Sequence, residues 1–169
     1  PVANPQTARG LCQTAVTLAL ASEDTTLCLL SVLPVTRVVH TLTSQRMIGR
    51  LNHTKQALLK QAAEVALERN VPAYTKVRTA ESISEGVLAE LESRSSYQLV
   101  LMGWPGPLTE KQLPNHPVKM VLQRARAHVA VLLNRGLDDV QRILVPVGGG
   151  FHSRLAIRLA YELGLPRGA

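Results

Sequence analysis

Aromatic side chains are scarce in this 169-residue chain, at 3%, whereas apolar residues make up 46%. Small and branched aliphatic side chains must therefore fill the interior, and the length suits one domain with a sizeable core or one domain and part of another. No apolar run approaches the ~18 residues that span a bilayer. The first residue is proline and no signal peptide is visible, from which we expect a fragment of a longer protein.

Cysteine is also rare, and the motifs that hold metals or activate nucleophiles are missing. Cys12 and Cys28 lie in apolar segments without a CxxC spacing, so we expect two buried, reduced thiols in a cytoplasmic protein. No histidine has a metal-ligand partner at the usual spacing, and no serine lies in GxSxG, so we expect neither a metal site nor catalysis. The net charge is +7, but aromatics do not interleave the basic residues. We therefore expect no nucleic acid partner, and proximity to an anionic membrane face would also suit a basic domain.

Helical and strand-like patterns alternate along the chain. We predict helices over 7–22, 44–70, 81–93 and 117–127, and strands over 26–35, 71–79, 97–103 and 128–133. Strands at this spacing form right-handed parallel crossovers, with helices on both faces. With a further strand at the start, the pattern predicts an α/β fold with a doubly wound, Rossmann-like, parallel five-stranded sheet.

Residue patterns in two of the predicted helices indicate which face is buried and which is exposed to solvent. The helix over 44–70 has a long apolar stripe, expected to be buried: Met47, Ile48, Leu51, Leu58, Leu59, Ala62, Ala66 and Leu67. The helix over 81–93 carries Glu81, Glu85, Glu90 and Glu92, which we expect to lie on its solvated surface.

The chain contains an internal repeat. At an offset of 145 residues the following pairs match: Pro1-Val2 with Pro146-Val147, Arg9 with Arg154, Ala15 with Ala160, and Leu18 with Leu163. A repeat of domain length indicates tandem domains. We therefore predict a first domain over 1–135, a linker over 136–141 and the start of a second copy over 142–169.

The two copies differ at their first strand. Ile143-Leu144-Val145 precedes the second Pro-Val, whereas the first copy has no counterpart, so its first strand is truncated in this chain. The second copy stops after one helix and cannot bury a sheet of its own. We expect Arg142–Val147 to form a strand that completes a sheet edge, in the same chain or in a partner, because an exposed strand promotes aggregation.

Several short motifs occur in a characteristic order. A Pro-Val strand end is followed by LLSV (29–32), by LVLMG (99–103) and by glycines at Gly103 and Gly106. In this order they resemble the universal stress protein family, over residues 1–135 and again from 142 to about 165. The resemblance implies a sheet like that of the adenine nucleotide alpha hydrolases. It also implies a phosphate-binding loop of the form G-x2-G-x9-G-[ST] after the fourth strand.

The chain departs from the family pattern where phosphate is held. His116 and Pro117 stand in place of the last glycine and the hydroxyl residue, and Ala3 stands in place of an acidic residue. Backbone N–H groups at a helix start grip phosphate, and proline has none. We expect no cofactor, with ATP or another adenine nucleotide as the alternative. The resemblance places this vestigial nucleotide site at Val2, Ala3, Val32, Gly103, Gly106, His116 and Pro117.

Two further features stay open from sequence. Gly148-Gly149-Gly150, with Arg154, follows a strand-like run and opens a helix. It could cradle an anion or serve as a flexible turn, although it is not a P-loop. Trp104 could stack on a base, anchor a partner or cover the cavity left by an absent nucleotide.

The resemblance also suggests a biological setting. Degenerate tandem units similar to this family occur as cytosolic tails of bacterial transporters and channels. We therefore expect a non-catalytic regulatory or interaction domain, in the cytoplasm or on the cytosolic face of the inner membrane as part of a transporter chain. Family members often pair through the last strand, so we expect a homodimer through His128–Leu133. The alternative is a soluble stress protein that binds ATP, AMP or a cyclic dinucleotide through Gly103 and Gly106.

Overall fold

Helices and strands alternate in the structure as the sequence predicts. The computed structural model describes residues 1–22, 24–35, 42–104, 106, 116–136, 140 and 142–165. Its elements are α1 (Pro5–Leu20), β1 (Leu27–Pro34), α2 (Leu42–Leu67), β2 (Ala73–Ala80), α3 (Ile83–Ser93), β3 (Leu99–Gly103), α4 (Pro117–Arg124), β4 (His128–Leu132) and α5 (Gly150–Gly164). None of the described helices is both long enough and apolar enough to cross a bilayer.

Local capping explains where the first and third helices begin. Asn4 caps α1, because its side-chain oxygen accepts a hydrogen bond from the Gln6 N–H at 3.0 Å, and Pro5 takes the first helical position. Ser82 caps α3 through a 3.2 Å bond from the Glu85 N–H. These contacts satisfy amide donors that a helix start leaves open.

The strands form two parallel pairs. β1 pairs with β2, Leu27 opposite Ala73, and β3 pairs with β4, Leu99 opposite His128. The α/β class is confirmed, but the five-stranded sheet is wrong for the residues that the structure describes. At the start of the chain a single backbone bond joins Val2 to the Leu30 carbonyl, at 2.6 Å, which is too little to make a fifth strand.

Helices cover both faces of β1. Leu29 packs in a core with α1 and α2, whereas its neighbour Leu30 packs in a core with α3, α4 and β3. Successive side chains of a strand point to opposite faces, so the two cores lie on opposite sides of β1. Helices therefore lie on both sides of β1.

The predicted burial of the long helix is only partly right. Leu58, Leu59, Ala62 and Ala66 are buried, whereas Met47, Leu51 and Leu67 are exposed by 63%, 42% and 76%. The 26 residues of α2 extend for ~39 Å. The eight residues of β1 extend for ~26 Å, so the helix is longer than the strand. Met47 and Leu51 precede the buried positions 58–66, whereas Leu67 follows the buried Ala66 and points away from the core.

Arg142–Val147 does not form a strand. Leu144 is 92% exposed and Val147 is 59% exposed. The expectation that this segment completes a sheet edge within the same chain is therefore wrong. None of residues 142–147 pairs with a strand in the described part of the chain.

Candidate functional site

The first two residues of α4 leave no backbone amide free for a ligand. Pro117 is the first helical residue and has no N–H. The next amide, that of Val118, donates to the Nδ1 atom of His116 at 3.3 Å. His116 thus acts as the N-cap. Its imidazole takes the position that a phosphate would occupy at this helix start.

Trp104 lies over the same helix start. Its ring centroid is 5.0 Å from that of His116, with the planes tilted by 52°. Its backbone N–H donates to the Leu132 carbonyl at 2.8 Å, which extends the β3–β4 ladder by one bond. The indole is half-buried and packs against the core shared by β1, α3 and α4. Gly106, further along the loop, has φ +114°, a conformation that favours glycine.

The structure brings together only part of the predicted nucleotide site. Gly103 adjoins Trp104 in the chain, and His116, which precedes Pro117, lies against the Trp104 ring. Val2 is buried on the α1–α2 face of β1, whereas Val32 is buried on the α3–α4 face. The exposed Ala3 offers only its carbonyl, 3.5 Å from Lys55 Nζ.

The glycine run before α5 lies at the other end of the β3–β4 pair. Gly149, with φ +89°, is the N-cap residue, and Ser153 Oγ donates to its carbonyl at 2.9 Å. The Phe151 ring is 5.3 Å from the ring of His128, the first residue of β4. Trp104 follows the last residue of β3, whereas His128 is the first residue of β4. Because the two strands run parallel, Trp104 and His128 lie at opposite ends of the pair. Gly148, Gly149, Gly150 and the exposed Arg154 therefore do not join the cluster around His116.

A buried ion-pair cluster lies between α3 and β2, and it corrects the prediction for Glu90. That side chain is 3% exposed rather than solvated. Its carboxylate lies 2.7 Å from Lys76 Nζ and 2.7 Å from Arg78 Nη1, and it accepts a 2.8 Å bond from Tyr97 Oη. Each carboxylate oxygen thus has a donor, which is what makes burial of the charge tolerable.

The cluster extends through a second tyrosine. Because Tyr97 donates its only proton to Glu90, the 2.7 Å bond between the two phenols has Tyr74 as its donor. Arg94 lies 5.4 Å from the centroid of the Tyr74 ring. Burial raises the pKa of Tyr97, and its hydrogen bonds raise it further. Burial alone would raise the pKa of Glu90, but hydrogen bonds from Lys76, Tyr97 and Arg78 outweigh it and hold that pKa below the ordinary value.

Sequence reasoning missed this cluster although a signal was present. Tyr74, Lys76 and Arg78 alternate along β2 and so share one face. Glu90 follows Val87 by three residues, which places it on the apolar side of its helix. Two cations on one strand face and one carboxylate on an apolar helix face together predict a buried ion pair.

A cavity of about 400 Å³ lies beside β1 and β3. It is lined by residues 27–30 and 98–101 and by parts of α1, α3 and α5, including Glu90 and both cysteines. Both thiols are free; Cys12 is buried and Cys28 is half-buried. Burial raises the pKa of the Cys12 thiol, which keeps it protonated and unreactive.

No protein-family model, curated protein or solved structure matches this chain. Within the described residues, no group of three or more His, Cys, Asp or Glu side chains is arranged to hold a metal ion. The function therefore has to be argued from the geometry above and from the sequence pattern.

Proposed function

We propose that this chain is a non-catalytic regulatory or interaction domain of the universal stress protein type, belonging to the cytosolic part of a membrane transporter or channel. The alternative is a soluble universal stress protein that binds ATP, AMP or a cyclic dinucleotide.

The start of α4 is the observation that carries the proposal. Of the first two residues of this helix, Pro117 has no amide donor and Val118 gives its donor to His116. Loss of one hydrogen bond to a charged group costs about 1.5–3 kcal/mol, or roughly 10- to 100-fold in affinity. The helix is kept, but its first two residues offer no amide donor to a phosphate. This arrangement favours interaction with a partner over nucleotide binding.

Exposed apolar side chains support a role in binding a protein partner. α5 has no buried residue, and Phe151, Ile157 and Tyr161 are exposed by 62%, 49% and 67%. Ile157 and Tyr161 lie four residues apart and so share one face of α5, and exposed apolar surface is characteristic of interaction sites. The net charge of +7 suits a domain held near an anionic membrane face. In the described sheets β4 pairs only with β3, and Val131 is 38% exposed, so homodimerisation through this strand remains part of the proposal.

Calorimetry tests the proposal directly. The native chain and the double variant His116→Gly, Pro117→Ser are titrated with ATP and with cyclic dinucleotides. We expect no saturable heat from the native chain and a gain of at least about tenfold in ATP affinity for the variant, which regains amide donors and a hydroxyl.

The matched control makes the same exchange at another helix. Asn4→Gly with Pro5→Ser alters the start of α1, which also has a capping side chain and a proline. We expect no gain in ATP binding from it. Micromolar ATP binding by the native chain would contradict the proposal and favour the soluble nucleotide-binding alternative.

A further inference from the structure

The stretch that contains α4 and β4 carries charge of one sign only. Residues 116–136, which the structure describes without a break, contain four basic residues, Lys119, Arg124, Arg126 and Arg135, and no Asp or Glu. In the whole chain, by contrast, 12 acidic residues accompany 19 basic ones. The positive charge of this stretch is therefore not balanced within it.

The basic side chains of α4 and of the turn after it are open to a partner. Arg124 and Arg126 are exposed, and Lys119 is half-buried. Among the residues that the structure describes, none of the three forms an ion pair. The neighbouring helix α3 carries the exposed Glu85 and Glu92, but neither pairs with these cations. The charge is thus available to an anionic surface.

Exposed aliphatic side chains lie on the same side of the sheet as these cations. Leu122 of α4 is 52% exposed and Val131 of β4 is 38% exposed. Val129 packs against the core that α3 and α4 share, and residues two apart on a strand share a face, so Val131 also turns to the α4 side. We define the basic face as the set of Lys119, Leu122, Arg124, Arg126 and Val131.

The mixture of cations and aliphatic side chains fits an anionic lipid surface. Lys and Arg are attracted to anionic headgroups, and aliphatic side chains among them enter the boundary between headgroups and acyl chains. The methylene stems of Lys and Arg tolerate the same boundary.

The other occupants fit less well. Nucleic acid offers phosphates to the cations but leaves Leu122 and Val131 without a partner, and residues 116–136 contain no Phe, Tyr or Trp to stack on bases. A second copy meeting this one through the same surface would bring like charges together.

We propose that the basic face docks on an anionic lipid surface, with Leu122 and Val131 entering the headgroup layer. The inference rests on the proposed function, which places the domain beside a membrane, and adds which side of the domain meets the lipid. α2 packs on the opposite side of β1 from α4 and so lies away from the lipid.

Sedimentation with vesicles tests the charged part of the basic face. The full chain is mixed with vesicles of phosphatidylcholine and phosphatidylserine, or of phosphatidylcholine alone. A basic residue near an anionic surface raises affinity roughly fivefold. We therefore expect the native chain to bind the phosphatidylserine vesicles, and the triple variant Lys119→Gln, Arg124→Gln, Arg126→Gln to bind them at least about tenfold more weakly.

A matched variant removes the same charge from the opposite side. Arg50→Gln, Lys60→Gln, Arg69→Gln replaces three exposed basic residues in and just after α2. We expect this variant to lose less than about threefold in affinity, because its cations lie away from the lipid and are screened over such distances. Equal losses in the two triple variants would mean that net charge alone governs binding, and would overturn the assignment of the basic face.

The aliphatic part is tested without a change in charge. Leu122→Gln should weaken binding to phosphatidylserine vesicles, whereas Leu67→Gln, at a leucine 76% exposed at the end of α2, should leave it unchanged. Equal binding by these two variants would overturn insertion of Leu122.

Three further results would overturn the proposal. One is a native chain that does not bind phosphatidylserine vesicles. Another is tighter binding to a DNA duplex at the same salt concentration, which would assign the basic face to nucleic acid. The third is self-association that Leu122→Gln abolishes while vesicle binding is unchanged, which would assign the face to a second copy.

The calorimetric test of the proposed function is independent of these measurements. A chain that binds neither ATP nor phosphatidylserine vesicles leaves the proposed function standing and overturns only the lipid-facing role of the basic face. A chain that binds micromolar ATP contradicts the proposed function, whatever the vesicles show.

Discussion

Gly86 of α3 lies directly against Val32 of β1. A Cβ atom added to the glycine would stand 2.5 Å from Val32 Cγ1 and 3.2 Å from the Cβ of Ala80. The opposing groups are a stiff β-branched side chain and an atom fixed to the backbone, so neither can swing aside. The absence of a side chain at position 86 thus sets how closely α3 approaches the sheet.

Replacing this glycine is expected to destabilise the fold. In a helix interior alanine is more favourable than glycine by about 1 kcal/mol, so this term alone would make Gly86→Ala stabilising. Overpacking of a filled core costs typically about 1–3 kcal/mol, and the contact here is short enough to place the variant at the upper end. We expect a net loss of about 1–2 kcal/mol in the free energy of unfolding, measured by urea denaturation.

Gly49→Ala is the matched control for that experiment. Gly49 is an exposed position in α2, with nothing within 4 Å of the added Cβ. The same change should therefore stabilise by up to about 1 kcal/mol. Equal changes in stability at the two positions would mean that packing against Val32 does not limit how closely α3 approaches the sheet.

Removing the charge of Glu90 is expected to weaken the fold. Glu90→Gln keeps the shape but leaves Lys76 and Arg78 facing an amide, one end of which is itself a donor. Hydrogen bonds to a charged group contribute about 1.5–3 kcal/mol, and we expect a loss of that size in chemical denaturation. Glu92→Gln, at an exposed position of the same helix, should change stability by less than about 0.5 kcal/mol. A loss at Glu90 no larger than that at Glu92 would contradict a structural role for the cluster.

Glu90 should also give the protein an acid-sensitive stability. Its pKa is lowered in the folded state, and the unfolded value lies near 4.3, so the unfolded chain binds the proton more readily. The contribution of the Glu90 charge to the free energy of unfolding is complete above about pH 5 and is lost as pH falls through the pKa of the folded state. Melting temperatures of the native chain should drop across this range more steeply than those of Glu90→Gln. If the melting temperatures of the two proteins fell equally with pH, Glu90 would not be the source of the acid sensitivity.

Local chemistry along the sequence determined where two of the helices begin. Asn4 with Pro5, and Ser82, supply their caps from within a few residues, and hydrophobic periodicity distinguishes helix from strand at the same range. The α/β order and the parallel pairing follow, because crossovers of this length permit little else.

Tertiary structure alone decided which neighbour each element obtained. Glu90 is buried because β2 brings Lys76 and Arg78 to it. The spacings along β2 and α3 indicate which face each residue shares, but only the fold brings those two faces together. Arg142–Val147 has the composition of a strand but forms none, because a strand exists only where a second backbone offers its donors and acceptors. Composition and periodicity are properties of one segment, whereas pairing and burial are properties of two.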